Sequence, residues 1–359
     1  MVHSTKSTNR SNYNKKRYSF LDFLLYGKMN TLDPSIKYID PPETEKPFAE
    51  YYDKNIVPLL KEFEKKRIET LEIIRQRAFM AMSVVIIMGI LTLIYFFTGK
   101  TVTFENIKGL TVIWVVALVA LFVWIWLPAN AYDAQVKNRI FPIIFKFISP
   151  DCEYHSKSPL TANSLQQFRI IPKFDEEITD DYIKGKYKDV TYALYETELN
   201  RREKTGKRRT ITIFKGIFVM LSMHKDFKGS TIVLKDSGGI INWLKDKVSE
   251  LKNVKLEDPK FESFFEVYSS DQVEARYLLT TSFMERLLKL KAEFGDYSIQ
   301  ASFFQNKLLL MIEYYQDLFA TSSIMQPATF IEDIETIFRQ MENIFQIIDI
   351  LKLNEQTRL

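Results

Sequence analysis

The residues able to do chemistry in this chain are few and scattered. His3, His155 and His224 lie far apart and lack the paired spacing with which a helix presents two imidazoles to zinc. Cys152 is the single cysteine, so no disulfide within the chain and no thiolate cluster can form, and with His155 it offers only two soft ligands. No glycine loop of the P-loop or dinucleotide type is present, and Ser237-Gly238-Gly239 is a weak anion site at best. A serine nucleophile elbow is missing as well. The acidic pairs Glu176-Glu177 and Asp180-Asp181 sit in no apolar run that would raise a carboxyl pKa, so they are expected as solvated loop charge. The expectation is no catalytic residue, no cofactor and no metal.

One charged cluster is open to two readings. Arg201, Arg202, Lys204, Lys207, Arg208 and Arg209 crowd a predicted hairpin tip with Glu203 the one opposing charge. Near an anionic membrane each such residue contributes about 1 kcal/mol of attraction; away from one, the cluster is a solvated turn. A net charge of +4 over 359 residues argues against a nucleic-acid partner, which calls for a strongly basic face. Charged residues at 26% and aromatics at 14% describe a globular chain with real cores.

The elements that position these residues begin with two apolar segments. Residues 78–99 and 109–132 hold no charge, and at about 1.5 Å per residue each crosses the ~30 Å hydrocarbon core. The linking residues, 100–108, are too few for a domain, so the segments are expected as a transmembrane hairpin. Lys61, Lys65, Lys66, Arg67, Arg75 and Arg77 precede the first span, and Lys137, Arg139 and Lys146 follow the second, whereas the loop offers only Lys100 and Lys108. This places both termini in the cytoplasm, with Trp124, Trp126 and Tyr132 toward the inner interface. Neither span carries an ionisable side chain of the kind that marks a proton or ion path, so anchoring is their expected role.

Before the spans, residues 1–47 form a polar segment and a proline-bearing linker, in which the short apolar patch Phe20 to Tyr26 is either an interfacial anchor or a segment docked on protein. Residues 48–77 repeat apolar side chains at helical spacing, with Pro58 a possible kink. They predict a cytoplasmic stalk that runs into the first span or an amphipathic helix packed on its own soluble domain.

After the spans, residues 133–186 are expected to connect to a cytoplasmic α+β domain over 187–359. Asp189 to Arg201 and Thr210 to Met223 predict a long hairpin, with further strands at Ser230 to Leu234, Val254 to Glu257, Phe265 to Ser269, Tyr297 to Phe304 and Lys307 to Tyr315, and a tight turn at Gln305-Asn306. Helices are predicted over Ile240 to Leu251 and over Asp271 to Phe294, the latter broken near Thr280. Asp271 is a suitable N-cap with Glu274 at capping-box spacing. A final helix repeats Ile334, Ile337, Met341, Ile344, Ile348 and Leu351 in steps of three and four, with Thr329 and Glu332 placed as its capping box. Phe338, Phe345 and Ile347 widen that stripe, which favours docking on the sheet over a coiled-coil dimer. The fold class is thus α+β: stalk helix, two-helix transmembrane hairpin, mainly antiparallel sheet with interposed helices, and a long C-terminal helix.

The phrases Phe214-Lys215-Gly216-Ile217-Phe218, Asp226-Phe227-Lys228-Gly229-Ser230-Thr231 and Val254-Lys255-Leu256-Glu257-Asp258-Pro259-Lys260-Phe261, followed by the run from Phe265 to Thr280, are similar to a bacterial family of two-span membrane proteins defined as a domain of unknown function, family 3137. The resemblance extends from the stalk helix through Tyr315. It implies the two-span topology and a bacterial inner membrane, and it transfers no catalytic residue. Gly216 and Gly229 are expected where a strand bulges or another backbone comes close. The functional expectation is a membrane-anchored binding or scaffold module whose partners are the lipid bilayer and a partner protein or a second copy; the alternative is a membrane-bound enzyme with a site in the sheet.

Overall fold

A computed structural model describes residues 18–41, 46–98, 104–203, 209–235, 250–293, 297–351 and 353. The chain divides into a helical unit, Met1–Ile143 with Thr321–Asp333, and a sheet unit, Ile144–Ala320 with Ile334–Leu359.

The helical unit opens with α1 (Phe20–Tyr26), whose N-cap Ser19 and Asp22 form a reciprocal capping box and whose C-cap Gly27 takes φ 66°. α2 (Ala49–Asn55) is separated from α3 (Val57–Phe97) by a break at Ile56 rather than by a kink. Pro58 falls in the first turn of α3, where a missing N–H leaves no bond unmade. From there α3 runs without interruption for 41 residues, so the segments expected as stalk and first span are one helix. α4 (Phe104–Arg139) returns alongside it and carries Pro128 within its length. Trp114 on α4 donates its indole N–H to Thr92 Oγ1 on α3 at 3.2 Å. Both helices are long and apolar enough to cross a membrane, and they turn Ile86, Ile87, Ile90, Leu91, Val115, Val116 and Val119 outward. Below the spans the character reverses. Tyr52, Leu60, Phe63, Leu71 and Ile74 are buried, Phe63 meets Phe330 edge-on at 5.3 Å, and the Tyr52 hydroxyl donates to Thr329 O at 2.8 Å.

The stalk also buries charge. Arg67 is fully buried; it donates to both oxygens of Glu64 at 2.9 and 2.7 Å and to the carbonyls of Ile324 and Asn30 at 3.0 and 2.6 Å. Glu64 accepts in addition from the amides of Leu32 and Ala328, each at 3.0 Å. Arg67, counted above among the basic flank, therefore contributes to packing instead of to the surface.

The sheet unit continues with the end of α5 (Phe141–Ile148) and then β1 (Glu153–His155), a 3₁₀ segment (Ala162–Phe168), β2 (Glu176–Tyr187), β3 (Val190–Arg202), β4 (Thr210–Ser222), β5 (Ser230–Lys235), β6 (Lys252–Asn253), α6 (Pro259–Glu262), β7 (Phe265–Ser269), α7 (Gln272–Leu278), α8 (Thr281–Glu293), β8 (Ile299–Phe304), β9 (Lys307–Glu313) and α9 (Ile331–Leu351). One antiparallel sheet of nine strands has the order β1-β2-β3-β4-β9-β8-β5-β7-β6. At the expected tight turn, Gln305 and Asn306 take φ 49° and 56°, both left-handed, and Lys188 and Asp189 make an equivalent turn at 44° and 67°. The hairpin, the break between α7 and α8, and most later strands lie where the sequence predicts them.

Four features differ. β1 and β2 occupy the stretch expected to connect the spans to the domain. The segment from Val254 to Glu257 is a loop, held because Leu256 N donates to the Glu262 carboxylate at 2.8 Å. α9 starts at Ile331, after Phe330 at φ 58°, so Thr329 accepts from Ile331 N at 3.5 Å and lies outside the capping position. The Glu274 carboxylate turns away from its own helix and accepts from the amides of Lys228 and Gly229 at 2.7 Å each, leaving Asp271 to cap α7 alone. That bond explains Gly229: an added Cβ would sit 2.3 Å from Glu274 Oε2. At Gly216 the close approach is to backbone, 2.1 Å from Ile312 O on β9. The predicted helix over Ile240 to Leu251 lies, apart from its last two residues, outside the described residues, as does Ser237-Gly238-Gly239.

One sheet face packs on the 3₁₀ segment through Phe168, Ile170, Ile171, Tyr195, Phe214, Phe218 and Met311. On the other, Phe345 of α9 stacks on Tyr187 at 4.2 Å and meets Tyr192 edge-on at 5.7 Å. Ile334, Ile337, Met341, Ile344, Ile348 and Leu351 are all buried, so the periodic stripe docks within its own chain.

Candidate functional site

Among the places in the sheet unit where polar side chains gather are two that involve β3 and β4. The first is the tip of the β3–β4 hairpin. β9 covers β4 only from Gly216 to Ser222, whereas β2 pairs with β3 as far as Asn200 and the Asp175 carboxylate accepts from Arg202 N at 2.8 Å. On the other side Asn200, Arg201 and Arg202 lie opposite Thr212, Ile211 and Thr210 of β4. Glu203 N donates to Arg209 O at 2.9 Å beyond the last paired residues. Arg201, Arg202 and Arg209 are exposed, and among the described residues none of the three is in an ion pair. Lys204, Lys207 and Arg208 lie outside the described residues.

The second place is a cleft of about 170 Å³ between β2, β3, β4 and the chain after β9. Its walls include Ile178, Asp180, Glu196, Lys215, Tyr314 and Asp317. The carboxylate oxygens of Glu196 and Asp317, two of its lining residues, and of the neighbouring Asp181 lie within 4.8 Å of one another. A register shift between Asp180 and Tyr182 breaks the alternation of β2 and delivers Asp181 to the interior, fully buried. The Tyr154 hydroxyl on β1 donates to Asp181 Oδ1. Glu196 follows Tyr192 and Leu194 on one side of β3 and accepts from Leu318 N at 2.9 Å. Burial, then the neighbouring Asp317 and Asp181 carboxylates, push the Glu196 carboxyl up to about 8. Lys215, the basic lining residue, is engaged by Glu198 at 3.4 Å.

Chemically, this is a set of crowded acids of which one holds its proton at neutral pH. Three carboxylates at this spacing suit a hard divalent cation, and a protonated glutamate suits proton donation. Asp180-Asp181 is thus not solvated loop charge. The local sequence carries no apolar run, but β1 and β3 supply the burial from a distance. A readable trace of the site was Glu196, an acid in phase with the apolar side chains of β3; Asp317 and Tyr154 left none. Cys152 and His155 do not converge, since the thiol is buried against the Tyr192 hydroxyl and the imidazole is exposed on β1.

No curated protein matches the chain. The crystal structure of the mycobacterial trehalose monomycolate transport factor A, TtfA, aligns over 55% of this chain and 88% of its own, at 8% identity and a TM-score of 0.27, too distant a likeness to carry an argument. A family model matches residues 212–353, from inside β4 to just past α9. The family is described as Protein of unknown function (DUF3137), and the match covers the phrases quoted above from Phe214 onward and adds the terminal helix.

Proposed function

We propose that the chain is a two-span protein of the bacterial plasma membrane, both ends cytoplasmic, whose sheet domain is a binding module for a partner protein or the lipid surface. The observation that carries the reading is the outward apolar surface of α3 and α4. Side chains such as Ile86, Ile87, Val115 and Val116 are each more than half exposed, which is untenable in water and natural in hydrocarbon. Lys61, Lys65 and Lys66 before the spans and Lys137 and Arg139 after them support the orientation. At the hairpin tip, Arg201, Arg202 and Arg209 with Lys204, Lys207 and Arg208 form a polybasic segment suited to anionic headgroups. A tether keeps even a weak contact of this kind engaged.

The test is reconstitution of the full chain into vesicles, with protease added outside before and after the membrane is opened. Both flanks should be cut together, because both lie on one side. Protection of one flank and loss of the other would overturn the hairpin topology. For the tip, replacing Arg201, Arg202, Arg208 and Arg209 by Gln should abolish a salt-sensitive crosslink from Arg209-adjacent residues to phosphatidylglycerol. A crosslink of unchanged yield would remove lipid contact from the reading.

The acidic cleft favours a second reading, a membrane-bound enzyme. If Mg²⁺ or Mn²⁺ raises the thermal transition of the wild type and not that of Asp317→Asn, the cleft holds a cation and the enzyme reading gains; an unchanged transition leaves the binding module.

A further inference from the structure

We propose that α1 is a third membrane-contacting element, lying flat in the headgroup layer beside the spans; this rests on reading α3 and α4 as transmembrane. A seven-residue helix has no stability of its own in water, yet this one is fixed at three points. Phe23 is fully buried, Arg75 Nε donates to Leu24 O at 3.0 Å, and Phe20 stacks on Trp126 at 5.6 Å. These contacts fasten one side of α1 and leave the other unpartnered. Leu21 and Leu25, four residues apart on one face, are 63% and 51% exposed, and Tyr26 is 68% exposed with Lys28 Nζ 5.3 Å from its ring. So much fixed apolar surface asks for an apolar cover.

The contacts of α1 say which cover. Trp126, Trp124, Arg75 and Arg77 lie at one level of the hairpin, with Arg77 donating to Trp124 O at 2.6 Å and its guanidinium 5.0 Å from the Trp124 ring. Indole rings and arginines grouped this way belong to the membrane–water boundary. From Arg77 to Phe97 the helix rises about 30 Å, one hydrocarbon core, which sets that level at the inner boundary. α1 is seated on this girdle, so its free face is continuous with the lipid-facing surface of the spans. Leu21 and Leu25 then enter the upper acyl region while Lys28 stays among the headgroups, the disposition of an interfacial helix.

The experiment places an environment-sensitive fluorophore on the full chain at Leu25→Cys, with Ile87→Cys in the span as a control, both in a Cys152→Ser background. The protein is reconstituted in vesicles of phosphatidylcholine with a minority of phosphatidylglycerol. Quenchers are doxyl groups carried high or low on the acyl chain, and aqueous iodide. At Leu25, doxyl placed high should lower emission roughly twofold and iodide should have little effect, as befits a side chain 5–10 Å or so below the surface. At Ile87, doxyl placed low should be the stronger quencher. Iodide quenching at Leu25 with doxyl quenching at Ile87 overturns the proposal and leaves the spans intact. Protection of Leu25 from both quenchers also overturns it, because protein, such as a second copy, is then the cover. Iodide quenching at both sites removes the spans themselves. Should Cys152→Ser misfold, the native thiol can stay, since its burial keeps it unlabelled while Leu25→Cys reacts.

Discussion

The helical unit and the sheet unit each withdraw a glutamate from water, Glu64 in one and Glu196 in the other, with opposite consequences. Around Glu64, burial alone would discourage ionisation, but Arg67 and the amides of Ala328 and Leu32 outweigh it, and the carboxyl is held below its ordinary range. Around Glu196 a single amide, from Leu318, faces burial plus the carboxylates of Asp317, Asp181 and Asp180, and the carboxyl is raised to about 8. Equal residue types therefore serve different ends. Glu64 is consumed by structure, whereas Glu196 is kept in a costly state that structure does not require. Asp333, in the helical unit, lies between the two: it is raised to about 6 by burial although Ser322 donates to it from both N and Oγ. The contrast marks the acidic cleft, and not the stalk ion pair, as the place where ionisation is available for use.

The sharpest way to break this contrast is to remove the compensation at Glu64. Arg67→Ala leaves a buried carboxylate and the carbonyls of Ile324 and Asn30 without their donor, and should cost about 3–5 kcal/mol. Chemical denaturation of the full chain in detergent measures it; a loss under about 1 kcal/mol would mean the pair is dispensable. Ile344→Asp makes the converse case, a new acid with no partner in the buried stripe of α9. It should lower stability by a few kcal/mol, read as a fall in the thermal transition.

Glu196→Gln should act with the opposite sign and depend on pH. Because the folded state raises this pKa above its unfolded value, wild-type stability has no contribution from the group below the ordinary carboxylate range and declines as pH rises toward 8. The variant should therefore lie close to wild type near pH 5 and exceed it near pH 8 by several kcal/mol, on the order of 4. A difference independent of pH would contradict the assigned ionisation. Smallest should be Asp349→Asn. Lys188 and the Tyr187 hydroxyl reach this carboxylate at 2.8 and 3.0 Å, but water screens the site and the unfolding curve should scarcely move.

How much of this was legible follows from where the information lies. The apolar stretches of α3 and α4 declare themselves as long uncharged runs, and α9 does so because a docked helix repeats every three or four residues. β3, β4, β7 and the Gln305-Asn306 turn follow from local alternation and turn chemistry. β2 was hidden because its residues, Glu176 to Tyr187, are mostly charged or polar, and its burial comes from neighbours far along the chain. The acidic cleft was hidden for the same reason: Tyr154, Asp181, Glu196 and Asp317 meet only once the sheet is assembled. Thr329 followed by Glu332 was a sound capping signal, defeated by the left-handed Phe330 between them.

The stalk ion pair has a consequence for the order of biosynthesis. Arg67 and its acceptor Ile324 are separated by 257 residues, and Glu64 and its donor Ala328 by 264. At ~10 residues per second the ribosome needs about 25 s to supply those partners. For that interval α3 and α4 are already complete while the helical unit still lacks Thr321–Asp333. The whole sheet, β1 to β9, is translated before the segment that seals the stalk, so the last pieces of the first unit to form arrive after most of the second has left the ribosome.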